Sequence, residues 1–276
     1  MSVDSQRVGT RQSARGPEPS AMFPQDRQQR ILELLRTQTS VASSNLADLL
    51  GVNQATIRRD LKALADEGYV HLVHGGARRA DQGAPLVHEV DLATKQVTNV
   101  HLKQIIADKA AALVTSGTTV ALNAGSTAEL IAANIPAGVS NCTFVTLSLN
   151  IAATLAPRTD SRLVLAGGVY RSTSQSFVGQ PAVDLLSGLR ADIAFLGASA
   201  VDTESGWTHP TLEEVRPNQV MLAMAAARYL VCDSSKFGVT ALARVAGLDE
   251  FTGIISDGVL DVKVERWARD HGLEII

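Results

Sequence analysis

In the stretch ALNAGSTAEL an apolar run ends at Asn123, and Gly125, Ser126 and Thr127 lead into the helix-like Ala128, Glu129 and Leu130. A small Gly/Ser/Thr turn between a strand and a helix suits a phosphate, because free backbone N–H groups and the positive end of the helix dipole converge there. Such a turn serves an enzyme that transforms a phosphorylated substrate or a sensor that binds one. Small or polar residues also follow four later apolar runs: Thr146 and Ser148, Gly167 and Gly168, Gly197 and Ser199, and Asp233 with Lys236. In open parallel sheets ligands bind at the carboxyl ends of the strands. The candidate effector site is therefore Asn123, Gly125, Ser126, Thr127, Thr146, Ser148, Gly167, Gly168, Arg171, Ser199 and Lys236. Lys236 is the cation expected on a phosphate, with Arg171, just past the Gly-Gly pair, as a second.

A different chemistry is written near the other end. In VNQATIRRDLKALADEGY, Asn53 is the expected helix cap, and Ile57, Leu61 and Leu64 form a stripe at i, i+4 and i+7. Thr56, Arg58, Arg59 and Lys62 are left on the outer surface. Two helices precede this one. The first carries Ile31, Leu34 and Leu35 on one face. The second, in SSNLADLL, has Ser43 or Ser44 as cap, Leu46, Leu49 and Leu50 facing inward, and Gly51 as terminator. This order of elements reads as a helix-turn-helix whose last helix enters the major groove. Gln54, Ala55 and Thr56 lie where base edges are met, and Arg58 and Arg59 reach phosphates or a guanine edge. The segment GYVHLVHGGARR then alternates and turns at Gly75-Gly76, as a two-stranded wing would, bringing His74 and Arg78 beside the DNA backbone.

The elements that must hold these groups divide the chain. Residues 1–80 carry 11 Lys/Arg against 8 Asp/Glu, a net +3, and the rest carry 14 against 20, a net −6, so a basic end is joined to an acidic body. Only the first part is suited to a polyanion. Residues 1–22, rich in Ser, Gln, Arg, Gly and Pro, are expected to be a disordered tail. Residues 23–79 form the DNA-binding unit and 80–98, mixing Gly, Pro and charge, a linker. Residues 99–276 alternate short apolar strands with helices, which implies a parallel-dominated α/β sheet with covered faces. The fold class is thus multidomain: a small α+β winged helix-turn-helix, then an α/β domain. With 18 consecutive apolar residues nowhere in the sequence and no apolar segment near the start, neither a membrane span nor a secretory signal is expected. Cys142 and Cys232 sit in apolar runs without a Cys/His cluster, which favours buried thiols over a disulfide or metal site and a cytoplasmic setting.

The segment ATIRRDLKALADEGYVHLVHGGA resembles the signature of DeoR-family transcriptional regulators, with Thr56, Ile57, Arg58, Arg59, Asp60, Leu61, His74, Gly75, Gly76 and Ala77 matching. AGSTAEL, LAGGVYRSTSQSFVG and VCDSSKFG are similar to blocks of the family's effector domain, which is itself similar to ribose-5-phosphate isomerase. The resemblance implies a double-stranded DNA operator, release by a phosphorylated sugar or sugar intermediate, and a sugar-phosphate-sensing effector and oligomerisation domain over residues 99–276. It implies no cofactor. A one-helix reader covers few base pairs, so a homo-oligomer on repeated half-sites is expected. Three departures stand out. His71 and Leu72 occupy wing positions where arginines are common, Asn123 replaces a common Asp, and Leu147 falls within a common V-T-N-S.

The isomerase likeness also poses the enzyme question. Aldose–ketose isomerisation needs a positioned carboxylate base. The isomerase's acidic segment corresponds to Leu196, Gly197, Ala198, Ser199, Ala200, Val201 and Asp202, where only the last acid remains. Glu213 and Glu214 are the other candidates, although Pro217 and Asn218 interrupt the pattern that follows them. Loss of the acids with retention of the phosphate turn favours a sensor, probe of a sugar-phosphate pool, with no catalytic residue. The alternative is a sugar-phosphate isomerase-like enzyme with an appended DNA-binding unit.

Overall fold

The computed structural model describes residues 23–37, 40–66, 69–73, 75–79, 86–258, 260 and 262–276. The expected tail and His74 lie outside them. Residue contacts divide the chain into two units, with the boundary between Asp81 and Gln82.

In the first unit, α1 (Pro24–Thr37), β1 (Ser40–Ala42), α2 (Ser43–Leu50) and α3 (Gln54–Asp66) precede β2 (Val70–Val73) and β3 (Gly76–Arg79). Ile31, Leu35, Leu46, Ile57, Leu61, Leu64, Val70 and Ala77 make its core, so the stripe of α3 is buried as its spacing requires. Two details of α2 differ from the sequence reading. Its cap is Ala42, which has no side-chain acceptor, and Ser43 already lies inside the helix. Leu49 is 62% exposed, because an eight-residue helix buries a single narrow stripe here, centred on Ser43, Leu46 and Ala47. Gly51 does end α2 in the left-handed conformation, its N–H donating to the Ala47 carbonyl.

The wing has three strands rather than two, in the order β1-β3-β2, all antiparallel. A three-residue strand carries too little periodicity to be read from sequence. It explains the second glycine of the wing. Gly75 has φ +83° and makes the turn, whereas a Cβ on Gly76 would lie 2.1 Å from the Val41 carbonyl oxygen of β1.

A buried ion pair joins α1 to α3. Arg27 Nε donates to Asp60 Oδ2 at 2.6 Å and Nη2 to Oδ1 at 3.1 Å. The two side chains are 7% and 6% exposed. Asp60 therefore belongs to the fold and not to the outer face of α3.

The second unit begins with β4 (Leu86–Val87), α4 (Leu92–Val97) and α5 (Val100–Ala111). Next come β5 (Thr119–Leu122), α6 (Ser126–Asn134), β6 (Thr143–Thr146), α7 (Leu149–Leu155) and β7 (Arg162–Leu165). A hairpin, β8 (Val169–Arg171) and β9 (Ser176–Val178), leads to α8 (Gln180–Ser187), β10 (Ala191–Gly197), β11 (Ala200–Asp202) and β12 (Gly206–His209). The chain ends with α9 (Leu212–Met224), β13 (Ala225–Val231), β14 (Thr240–Ala241), β15 (Ala243–Ala246), β16 (Gly253–Ile255), α10 (Val262–His271) and β17 (Glu274–Ile275).

Seven strands form one parallel sheet in the order β17-β16-β13-β10-β5-β6-β7. One cluster of apolar side chains covers each face, one including Trp207, Met221 and Leu230 and the other Ile106, Ile131 and Phe144. Cys142 and Cys232 are both buried free thiols. Successive strands run outward from β5 in one direction and from β10 in the other, so the order reverses between these two neighbours. That crevice is the ligand position such sheets favour.

Much of the stretch expected as a linker, residues 80–98, is ordered structure of this unit. β4 pairs with β14, and α4 is capped by Asp91, which accepts from Thr94 N at 2.9 Å. Leu92 is 2% exposed and its N–H donates to the Thr173 carbonyl. The alternation of charge with single apolar residues hid a docked strap.

Candidate functional site

On the first unit, Gln54, Ala55, Arg58, Arg59 and Lys62 are exposed along α3 and Thr56 is partly so. Asn53 caps the helix, its Oδ1 accepting from Thr56 N at 2.8 Å and from the Thr56 hydroxyl at 3.0 Å. The N-terminal half of α3 is thus presented rigidly, with the guanidiniums of Arg58 and Arg59 one turn beyond Gln54 and Ala55. Arg78 lies on β3, paired in register with His71 of β2 and Ser40 of β1. Leu72, at a wing position where the resemblance leads one to expect a cation, is 55% exposed.

In the second unit the sheet brings most of the expected effector residues to one edge. Asn123 follows β5 at the switch point. Its Nδ2 donates to the Gly197 carbonyl at 3.0 Å and to Asn218 Oδ1 at 2.9 Å, while its Oδ1 accepts from Gly197 N at 2.7 Å. The amide thereby ties the end of β5 to the end of β10. A carboxylate could accept from Gly197 N but could not donate to the carbonyl beside it. This geometry gives Asn at position 123 a structural reason, and the side chain is only 2% exposed.

Past Asn123, Gly125 adopts φ 149° as the residue before α6, and no side chain caps this nine-residue helix. Its first N–H groups therefore have no intrahelical acceptor. Ser126 and Thr127 are 7% and 8% exposed in the first turn. Lys236 ends a 3-10 turn, residues Ser234–Lys236, after β13, and Asp233 fixes that turn by accepting from Ser235 N at 3.1 Å. Ser199 lies partly exposed after β10.

Other expected residues have local duties. Thr146 and Ser148 are fully buried. The Thr146 hydroxyl accepts from Ser148 N, and the Ser148 hydroxyl caps α7 by accepting from Ile151 N. Gly168 permits close packing of the hairpin, since a Cβ there would meet the Val178 carbonyl oxygen at 2.4 Å. Gly167 is exposed with nothing around its missing side chain. Leu147 joins Ala124, Phe177, Glu214, Pro217 and Asn218 around a small pocket beside the Gly-Ser-Thr turn.

Glu214 is the group whose setting sequence could not supply. The two neighbouring acids part company on α9, Glu213 exposed and Glu214 buried. Pro217 does not break this helix, which runs on to Met224. The backbone bond that Pro217 cannot make falls on the carbonyl of exposed Glu213. Glu214 Oε1 accepts from Arg171 Nη1 at 2.6 Å, and Oε2 lies 3.1 Å from His209 Nε2. Arg171 also pairs with Glu89 of the strap at 3.0 Å. Burial pushes the Glu214 carboxyl up, but the hydrogen bonds from His209 and Ser174 and the charge of Arg171 outweigh it and hold the group down at about 2. Arg171 is thus committed to two carboxylates.

Near Lys236 stand two lysines of the strap and α5 that sequence reading passed over. Lys103 Nζ donates to the carbonyls of Lys95 and Thr98, the latter at 2.7 Å. Burial lowers Lys103 to about 8, with Asp233 opposing and Lys236 and Lys95 reinforcing the fall. Burial likewise lowers Lys95.

The two units match two family models, a DeoR-like helix-turn-helix domain over residues 27–83 and a DeoR C terminal sensor domain over 98–258. The chain belongs to the DeoR family and is a DNA-binding transcriptional regulator. It is 33% identical over 260 residues to the HTH-type transcriptional regulator GlpR of Haloferax volcanii, spanning 92% of this chain and 98% of that one. It is 30% identical over 245 residues to the glycerol-3-phosphate regulon repressor of Escherichia coli K12, spanning 89% and 95%. Among solved structures it is similar to a ribose 5-phosphate isomerase from Methanocaldococcus jannaschii, at 20% identity and TM-score 0.38 over 51% of this chain and 55% of that one. No helix among the described residues is long and apolar enough to cross a membrane.

Proposed function

We infer that the protein represses genes of sugar-related metabolism, binding a double-stranded operator through α3 and the wing and leaving it when a phosphorylated sugar or sugar intermediate occupies the crevice of the sensor domain. The observation that carries this reading is the uncapped first turn of α6, behind Gly125 and within the same edge as Lys236. Relatives that span nearly its whole length are a regulator and a glycerol-3-phosphate regulon repressor, which supports a phosphorylated effector. The fixed spacing of half-sites in helix-turn-helix operators supports a homo-oligomer.

The Glu214 environment supports binding over turnover. A carboxylate held at about 2 has little affinity for a proton at neutral pH, so it is a poor general base but a good acceptor for ligand hydroxyls. An isomerase would need that carboxylate released from both Arg171 and His209.

For the DNA contact, Arg58→Ala and Arg59→Ala are each expected to cost roughly 1–3 kcal/mol of operator affinity where a base edge is read, and to reduce the salt slope by about one where a phosphate is met. Both side chains are exposed, so thermal unfolding should be unchanged. Fluorescence anisotropy on selected duplexes at several salt concentrations separates the two cases. Wild-type affinity and slope in both variants would remove α3 from the interface.

A further inference from the structure

We propose that Lys95, on the strap helix α4, is an effector-binding residue that completes with Lys236 a two-cation seat for a phosphate dianion. The inference rests on the sensor reading above and adds to it a cation from a segment outside the matched sensor domain, which begins at residue 98.

The residues around Lys95 tie the strap to both places: Gln96 Nε2 donates to Glu129 in the first turn of α6 at 2.8 Å, and Asn99 Nδ2 reaches Asp233 Oδ1 at 3.2 Å and Ser235 Oγ at 3.3 Å, beside Lys236. Lys95 and Lys236 are both partly buried, and the like charge of Lys236 acts on Lys95. Two ammonium groups held near one another repel, and an anion shared between them turns that repulsion into attraction. The carboxylates nearby are already engaged. Glu214 is held by Arg171 and His209. Asp233 accepts from Asn99 Nδ2, from Ser235 N and from the Ser235 hydroxyl. Glu129 accepts from Gln96 at 2.8 Å and from Asn150 at 2.9 Å. Among the described residues neither lysine's ammonium makes a hydrogen bond.

The position of Lys95 is fixed by its surroundings. Its carbonyl receives Lys103 Nζ, the next residue Gln96 is tied to Glu129 in the first turn of α6, and α4 packs on α6. Lys95 thus approaches the same open helix end that Gly125, Ser126 and Thr127 form. The charge of Glu214 acts on Lys95 more strongly than that of Lys236, so a hydroxyl-accepting carboxylate and a second cation both neighbour this ammonium. The ligand class that matches is a phosphate ester with a hydroxyl a few bonds from phosphorus.

Lys95 also sits on the segment that leads from the DNA-binding unit into the sensor. Strap contacts at Leu92, Gln96 and Asn99 hold it to the sensor body. A dianion shared between Lys95 and Lys236 adds one more tie, so occupancy should tighten the strap.

The test is a titration of the full chain with inorganic phosphate, followed by phosphorus NMR and thermal shift, with fructose 6-phosphate in a second series. Lys95→Gln is expected to weaken phosphate binding roughly 10- to 100-fold, the size of a lost charge-assisted hydrogen bond, and Lys95→Arg to keep most of it. Hydrogen exchange on the unmutated protein gives a readout independent of folding of the variants: amides of residues 92–97 should slow when phosphate is added. Equal phosphate affinity in wild type and Lys95→Gln, or unchanged exchange in α4 at saturation, overturns this inference while leaving the sensor reading intact. Absence of binding of either probe to the wild type overturns both.

Discussion

Asp60→Ala should lower the stability of the N-terminal unit by about 3–5 kcal/mol, because it removes the buried carboxylate that takes two hydrogen bonds from the Arg27 guanidinium. The hydrogen bond to Asp60 is what raises the affinity of Arg27 for its proton, against the effect of burial. A unit of this size has a single small core, so a loss of that magnitude should abolish operator binding as well. The second unit has its own cores and should keep its unfolding transition. Urea unfolding with a probe in each unit would separate the two transitions. The double variant Arg27→Met with Asp60→Leu should recover most of the loss, since an apolar pair of similar volume avoids the desolvation cost. A destabilisation below 1 kcal/mol in Asp60→Ala would mean the pair is not buried in solution.

The second large effect concerns Glu214. Its carboxyl is held at about 2 in the folded protein against an ordinary value of 4.5. On acidification the unfolded chain takes up this proton first. The stabilisation is therefore complete above about pH 4.5 and is lost as pH falls towards 2, amounting to on the order of 3 kcal/mol. Glu214→Gln removes the titrating group and leaves Glu89 as the carboxylate paired with Arg171. The variant should be less stable than wild type at pH 7, and the difference should shrink as pH falls through the window from 4.5 to 2. Parallel urea melts of the two proteins give that difference directly. A gap independent of pH would mean that Arg171 and His209 do not hold the carboxylate ionised.

Both effects come from ion pairs between residues far apart in the chain, 33 positions for Arg27 and Asp60 and 43 for Arg171 and Glu214. Such pairs leave no local pattern. What was legible in sequence was periodic or punctuated: the stripe Ile57, Leu61, Leu64; the Asn53 cap; the stops at Gly51 and Gly75; the short apolar strands that became the parallel sheet. The Gly125, Ser126 and Thr127 turn was legible because its chemistry is carried by consecutive residues. Asn123 was visible as a departure, but its reason, joining β5 to β10, required the strand order. The strap was missed because residues 86–97 contain one two-residue strand and one six-residue helix, both too short for periodicity to register. Lys95 was hidden with it.

The sensor account is tested most directly by operator release. Duplexes selected from a randomised pool by the protein itself would be labelled, bound, and titrated with a panel of phosphorylated three- to six-carbon sugars and polyols, with the unphosphorylated compounds as controls. At least one phosphorylated member should lower operator affinity by tenfold or more, by a coupling free energy of about 1.4 kcal/mol or greater, while its unphosphorylated counterpart does not and no member is turned over. Operator affinity unchanged across the panel at millimolar concentrations, or conversion of a member at ordinary enzyme rates, would contradict it.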